Sequence, residues 1–152
     1  MAQKLTLSWQ DIEADCKALA QKIPHSVDVI VAITKGGLPP ATIIANKYLS
    51  RPHIVTLQLE EIAIEGQPGY QSKKVKIVSP LNIYPIENKK VLILDDVADS
   101  GQTLKKALTL VKTHQPQMIT TAALHYKPRS RVKPDIFARQ IDNDVWIVYP
   151  WE

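Results

Sequence analysis

The sequence predicts an α/β fold, a mainly parallel twisted sheet flanked by helices, in a single domain spanning residues 1–152. Three observations predict it. Short apolar, β-branched runs at 28–34, 53–59 and 91–94 have the length and continuity of strands buried on both faces. Segments with helical apolar spacing lie between them, the alternation that crossover connections produce. Two of the apolar runs also end in unusual polar tips, "TKGG" at 34–37 and "DDVADSGQT" at 95–103, and folds of this class bind ligands beyond the C-terminal ends of their strands.

The elements follow in order. Ser8 is the N-cap of a helix from Trp9 to about Lys22, with Asp11 in the capping-box position. Ile12, Cys16, Leu19, Ala20 and Ile23 share one face, so Cys16 reads as a buried small hydrophobe. Pro24 stops that helix. "DVIVAIT" is a buried strand, and Pro39 and Pro40 suit the first turn of a helix reaching about Leu49. "HIVTLQL" is the next strand, and the polar, glycine-bearing stretch 60–75 reads as a long mobile loop. "KVKIVSPL" returns as a strand. "KVLILDD" is the strongest strand signal in the chain, followed by a helix over Thr103–Thr113 with Leu104, Ala107, Leu108 and Val111 inward. "QMITTAALHY" and "DVWIVYP" are the last two strands expected. His25, His53, His114 and His125 lack metal-ligand spacing and read as surface or strand-edge residues.

Composition narrows the function classes. The chain has 45% hydrophobic residues, enough for one core, and no apolar run long enough to span a membrane. Its start lacks the apolar run of a signal peptide. One cysteine allows no internal disulfide and suits a reducing compartment, so a cytoplasmic location is expected. The net charge of +4 comes from scattered residues, densest in "HYKPRSRVKP" at 125–134; that is too short a basic face, without interleaved aromatics, for nucleic acid.

The chemistry concentrates at the two tips. Asp95, Asp96 and Asp99 crowd negative charge at the end of a buried strand, which is costly unless a cation or hydroxyl donors meet it. Ser100, Gly101, Gln102 and Thr103 lead into a helix N-terminus, where unpaired N–H groups, the dipole and two hydroxyls would cradle a phosphate. A plain capping turn, with Asp99 or Ser100 as cap, accounts for one acid but not three. The segment lacks the lysine of a P-loop and the spacing of a dinucleotide fingerprint. At the other tip, Lys35 beside the amides of Gly36 and Gly37 makes a second anion nest, although two glycines after a strand can equally be turn chemistry. Two anion sites on one sheet edge suit a substrate phosphorylated at both ends.

"VLILDDVADSGQT" closely resembles the phosphoribosyl diphosphate motif of type I phosphoribosyltransferases. With the "GG" loop, the "YKP" segment and "WIVYPWE", nearly the whole chain resembles the xanthine–guanine and hypoxanthine branch of the purine enzymes. The resemblance implies the type I fold with a mobile loop and a small C-terminal hood. It also implies transfer of a phosphoribosyl group from phosphoribosyl diphosphate to a 6-oxopurine, in a homodimer or homotetramer. In that reading Asp95 and Asp96 bind the ribose hydroxyls with Mg²⁺, and Glu152 stands on the metal side. Asp99 is the general acid/base near the purine ring, and Ser100, Gly101, Gln102 and Thr103 hold the 5′-phosphate. Lys35, Gly36 and Gly37 form the diphosphate loop, which in this family often holds a non-proline cis peptide. Lys127 meets the oxygen at purine C6, Trp146 stacks on the base, and the Ile147 backbone reads its edge. Trp146 taken alone is equally a strand-edge core aromatic. Lys35, Ser100 and Glu152 stand where the branch usually carries arginine, threonine and aspartate. The family's Ser-Tyr pair is missing from the loop, where Tyr70 is the aromatic residue. Two other functions remain open: a phosphoribosyltransferase for another base, and a non-catalytic sensor of the sugar diphosphate or a nucleotide. Lys127 argues against adenine, since an ammonium cannot accept a hydrogen bond from an exocyclic amine.

Overall fold

A computed structural model describes residues 2–63, 73–79 and 85–152. Its main sheet has six strands in the order β4-β3-β2-β5-β6-β7, formed by β2 (Val29–Thr34), β3 (His53–Ala63), β4 (Lys73–Ser79), β5 (Lys90–Ala98), β6 (Met118–Tyr126) and β7 (Ile136–Gln140). All neighbours run parallel except β4, which returns antiparallel to β3. A separate parallel pair joins β1 (Gln3–Thr6) to β8 (Val145–Val148), with Lys4 opposite Trp146 and Leu5 opposite Ile147.

The alternation of side chains along the strands builds two cores. Ile30, Ala32, Leu92 and Leu94 point to one face, where they meet Ile12, Cys16 and Leu19 of α1 (Trp9–Gln21) and Ala41 and Ile44 of α2 (Leu38–Lys47). Val29, Val31, Ile33, Val91 and Ile93 point to the other, against Leu104, Ala107 and Val111 of α3 (Gln102–Lys112). Val29–Ile33 of β2 and Val91–Leu94 of β5 are therefore apolar at every position, and this is the reason they read so clearly in the sequence. Cys16 is fully buried as expected, and burial pushes its thiol up to about 12. The capping box of α1 is complete: Ser8 Oγ accepts from the Asp11 N–H at 3.1 Å, and Asp11 Oδ2 accepts from the Ser8 N–H at 2.7 Å.

The structure departs from the sequence reading at several points. β1 and β7 are additional strands. β1 is four residues long and mostly exposed, and β7 is a half-buried edge strand, so neither carries a two-sided apolar pattern. "DVWIVYP" does contain a strand, but it pairs with β1 outside the main sheet. β3 runs on to Ala63 and β4 begins at Lys73, so the flanks of the expected 60–75 loop are strand. Tyr70 and the rest of 64–72 lie outside the described residues. β5 contains Asp95 and Asp96 as expected but runs on past them to Ala98.

His125 is a further correction, because it is fully buried rather than a strand-edge residue. Its Nε2 lies 2.9 Å from Asp15 Oδ2 and its Nδ1 2.7 Å from Tyr149 Oη. Arg139 Nη2 donates to the same Asp15 oxygen at 2.8 Å. Burial pushes the Asp15 carboxyl up, but the hydrogen bonds from His125 and Arg139 outweigh it and hold the group below its usual value. The imidazole is thus a polar link through the core between α1, β6 and the C-terminal segment.

Leu92 sits in mid-β5 with no exposed surface and strands on both sides. Leu92→Ala is expected to lower the unfolding free energy by about 2–5 kcal/mol, the range for a buried leucine whose surroundings relax little. Urea denaturation checks this, and a loss under about 1 kcal/mol would contradict close packing there.

Candidate active site

Residues of β3, the C-terminal end of β5 and the segment just after β6 line two adjoining cavities. The first, of about 200 Å³, is walled by Glu61, Asp95, Asp96, Asp99, Ser100, Gly101 and Thr103 with apolar groups of β5 and α3 behind them. The second, of about 110 Å³, is walled by Lys127, Trp146, Ile147, Tyr149 and Glu152. Asp96, Val97 and Asp99 line both. One edge of β5 therefore separates an acid-and-hydroxyl chamber from a chamber with a cation and an aromatic ring.

Local chemistry explains the first chamber. Asp95 Oδ1 accepts from the Asp96 N–H at 2.9 Å, and Asp96 Oδ1 from the Val97 N–H at 2.7 Å. Burial raises both carboxyls, Asp95 well above the ordinary range, with the Asp96 charge adding to the burial cost. Such a pair invites hydroxyl donors or a cation. The chain then turns at Gly101, whose φ of 79° is left-handed. A Cβ there would lie 2.5 Å from Ser130 Oγ and 2.6 Å from the Val132 nitrogen, so glycine is required twice over. Gly101 is also the N-cap of α3 and offers no side-chain cap, so neither Asp99 nor Ser100 caps the helix. Ser100 Oγ instead accepts from the Gln102 N–H at 3.2 Å. Gln102 lies outside this chamber, along a groove with Val75, Lys105 and Lys106.

At the β2 tip the Thr34–Lys35 peptide is cis. Gly36 presses against Asp96: a Cβ would fall 2.1 Å from its Oδ2. Gly37 is buried, and its N–H already donates to the Ile33 carbonyl at 2.7 Å. That corrects the expected nest of two amides, since the Gly37 amide is committed to the turn. Lys35 is exposed.

The second chamber holds a buried ammonium. Lys127 is only 4% exposed, and its Nζ lies 3.5 Å from Asp99 Oδ2. Trp146 is 60% exposed at the mouth, whereas Ile147 is buried. Trp146 is therefore not a core aromatic. Glu152 turns back on its own segment, with Oε2 accepting from the Tyr149 N–H at 3.4 Å.

Three residues of the site carried no signal in the sequence reading. Arg129 grips Asp99 with Nε 2.5 Å from Oδ1 and Nη2 2.9 Å from Oδ2. Burial pushes the Asp99 carboxyl up, but the bonds from Arg129 and the charge of Lys127 bring it below its usual value. Glu61 Oε1 accepts from Ser100 Oγ at 3.0 Å and Thr103 Oγ1 at 3.5 Å, which places a carboxylate in the cradle. Tyr149 Oη lies 3.3 Å from the Asp96 carbonyl oxygen. Position in "HYKPRSRVKP" is the one hint that pointed toward Arg129; Glu61 and Tyr149 depend on which strands meet.

A phosphoribosyl transferase domain model matches residues 5–152. The chain belongs to the phosphoribosyltransferase family. It is 31% identical to a xanthine-guanine phosphoribosyltransferase from Ruegeria sp. (strain TM1040), over 96% of this chain and 84% of that one. Among solved structures, a purine phosphoribosyltransferase from Pyrococcus horikoshii superposes with a TM-score of 0.84 at 30% identity, covering 99% of this chain and 94% of that chain. A protein from Neisseria gonorrhoeae with bound ppGpp superposes with a TM-score of 0.83, also at 30% identity, covering 100% and 90%. The type I architecture expected from the motif is therefore present.

In this phosphoribosyltransferase, Gly36→Ala forces the Asp96 carboxylate aside without straining the backbone, since Gly36 has no left-handed φ. The expected result is a drop in kcat/KM of about tenfold or more with an unchanged thermal midpoint, read by steady-state kinetics and calorimetry. Glu61→Gln removes a negative charge from beside Ser100 and Thr103 and is expected to tighten ribose 5-phosphate binding roughly three- to tenfold, measured by titration calorimetry.

Proposed function

We propose that the protein converts a 6-oxopurine (xanthine, guanine or hypoxanthine) and phosphoribosyl diphosphate to the nucleoside 5′-monophosphate and diphosphate, a purine salvage reaction. The observation that carries this reading is the shared wall. Asp96 and Asp99 line a sugar-phosphate chamber on one side and a base chamber on the other, so the bond between sugar and base would form across them. The purine enzymes among the relatives support the acceptor class, and ppGpp in the Neisseria gonorrhoeae protein is a guanine nucleotide.

The residues take the following roles. Ser100, Thr103 and the backbone at Gly101 and Gln102 hold the 5′-phosphate at the start of α3, once Glu61 yields its place. Asp95 and Asp96 accept from the ribose hydroxyls. Lys35 and Gly36 face the diphosphate, and Lys35 offers a mobile point charge rather than a planar fork. Lys127 donates to the oxygen at C6, Trp146 covers the ring, and the Ile147 backbone reads its edge. As the C1′–O bond breaks with oxocarbenium character, the ring nitrogen closes on C1′ and Asp99 accepts the ring proton.

Mg²⁺ fits this donor set. Asp95, Asp96 and Glu152 would offer hard oxygen ligands one or two at a time, because among the described residues no three such groups converge on a metal position. That suits an ion bound through one or two carboxylates together with substrate oxygens. When bound, it would neutralise charge on the departing diphosphate. The same reading implies a cytoplasmic homodimer or homotetramer; among the described residues no helix is long and apolar enough to cross a membrane.

A Mg²⁺-containing assay with phosphoribosyl diphosphate against hypoxanthine, guanine, xanthine, adenine, uracil and orotate, with Asp99→Asn alongside, tests the proposal. Mononucleotide is expected from at least one 6-oxopurine, with Asp99→Asn slower by about 10²-fold. Tight binding of phosphoribosyl diphosphate without turnover of any base would instead identify a sensor.

A further inference from the structure

Arg129 is the residue of the site whose role neither the motif nor the two chambers explain. Its backbone N–H donates to Asn143 Oδ1 at 2.9 Å, tying the β6–β7 connection to the turn before β8. Its guanidinium holds Asp99 in a two-point fork at 2.5 and 2.9 Å. Both side chains are about a third exposed, so solvent screens what the pair contributes to folding. The fork engages both Asp99 oxygens at once and so fixes the plane of the carboxylate. Lys127 stands at 3.5 Å from the same carboxylate, a loose contact for a buried ammonium. Two cations thus share one anion, and the geometry gives Arg129 the tighter hold.

We propose that Arg129 is a positioning residue: it fixes the Asp99 carboxylate on the wall between the two chambers and, by satisfying that charge, leaves the Lys127 ammonium available to the oxygen of the base. Without the guanidinium, Asp99 has Lys127 as its nearest cation among these partners. The lysine then collapses onto the carboxylate, and both groups are lost to the base together. Lysine cannot stand in at position 129, since a point charge lacks the fork. This rests on the reaction proposed above, and the test separates the two.

Arg129→Ala and Arg129→Lys are compared with the unaltered protein in steady-state kinetics, with KM measured separately for phosphoribosyl diphosphate and for the base. The expected result is a fall in kcat of roughly tenfold and a raised KM for the base in both variants, with KM for phosphoribosyl diphosphate changed less than about twofold. Guanidinium ion at millimolar concentration is expected to restore part of the rate of Arg129→Ala and none of that of Arg129→Lys, which still fills the space. Thermal melts within a few degrees of the parent exclude a folding defect. An unchanged kcat and base KM, or a raised kcat in Arg129→Ala, overturns the proposal; the latter means that Arg129 holds Asp99 away from its task. If the parent turns over no base, titration calorimetry with GMP and with ribose 5-phosphate reads the same point. Weaker GMP binding in Arg129→Ala with unchanged ribose 5-phosphate binding supports the positioning role even where the reaction fails, and equal loss of both, or of neither, overturns it.

Discussion

Two adjacent carboxylates that follow a fully buried apolar run within β5 set the terms for everything around them. Val91 to Leu94 are fully buried, and Asp95 and Asp96 continue the same strand. Their charge is unfavourable in that setting until a ligand supplies compensation. The protein accommodates it with backbone N–H donors from within the pair and with a glycine at the neighbouring tip that leaves room for Asp96. The Tyr149 hydroxyl lies against the Asp96 carbonyl and is itself backed by buried His125 and Asp15. Burial pushes the Tyr149 hydroxyl well above its ordinary value, and the Asp96 and Asp95 charges push it the same way. The site is thus held from behind by neutral and paired groups, so its uncompensated charge faces the chamber.

What could be read from the sequence follows the reach of each physical signal. β2, β5 and β6 are buried on both faces and declare themselves by apolar continuity. The Ser8–Asp11 box declares α1, and the acid-and-hydroxyl run after β5 declares the sugar-phosphate chamber. Signals fail where a residue's role depends on a partner far along the chain. Glu61 looked like one acid in a polar stretch; it meets Ser100 because β3 and β5 flank β2. His125 looked like a polar end to an apolar strand, and Asp15 and Tyr149 make it a core residue. Lys127 before a proline gave no hint of burial, because its cover comes from residues near the C-terminus. Gly37 shows the opposite failure: adjacency to Gly36 suggested a shared function, but the turn itself uses its amide.

The departures from the branch pattern find local accommodation. The extra methylene of Glu152 is taken up by folding back toward the Tyr149 N–H, so its carboxylate still faces the chamber that Asp96 lines. Ser100 keeps its oxygen among the cradle groups without the methyl of threonine. The two halves of the site also differ in character. The sugar-phosphate half is set by one unbroken stretch, whereas the base half is assembled from three separate parts of the chain.

The pairing of β1 with β8 gives that second half a place in time. Gln3–Thr6 precedes and Val145–Val148 follows all the other described strands and helices, yet the two lie side by side, and β8 brings Trp146 and Ile147 to the second chamber. Synthesis from the N-terminus delivers β5 and α3 before β6, β7 and the strand that carries Trp146. The residues of the first chamber, Glu61 to Leu104, are therefore made before the last of the second, and pairing β1 with β8 closes a loop that spans nearly the whole chain.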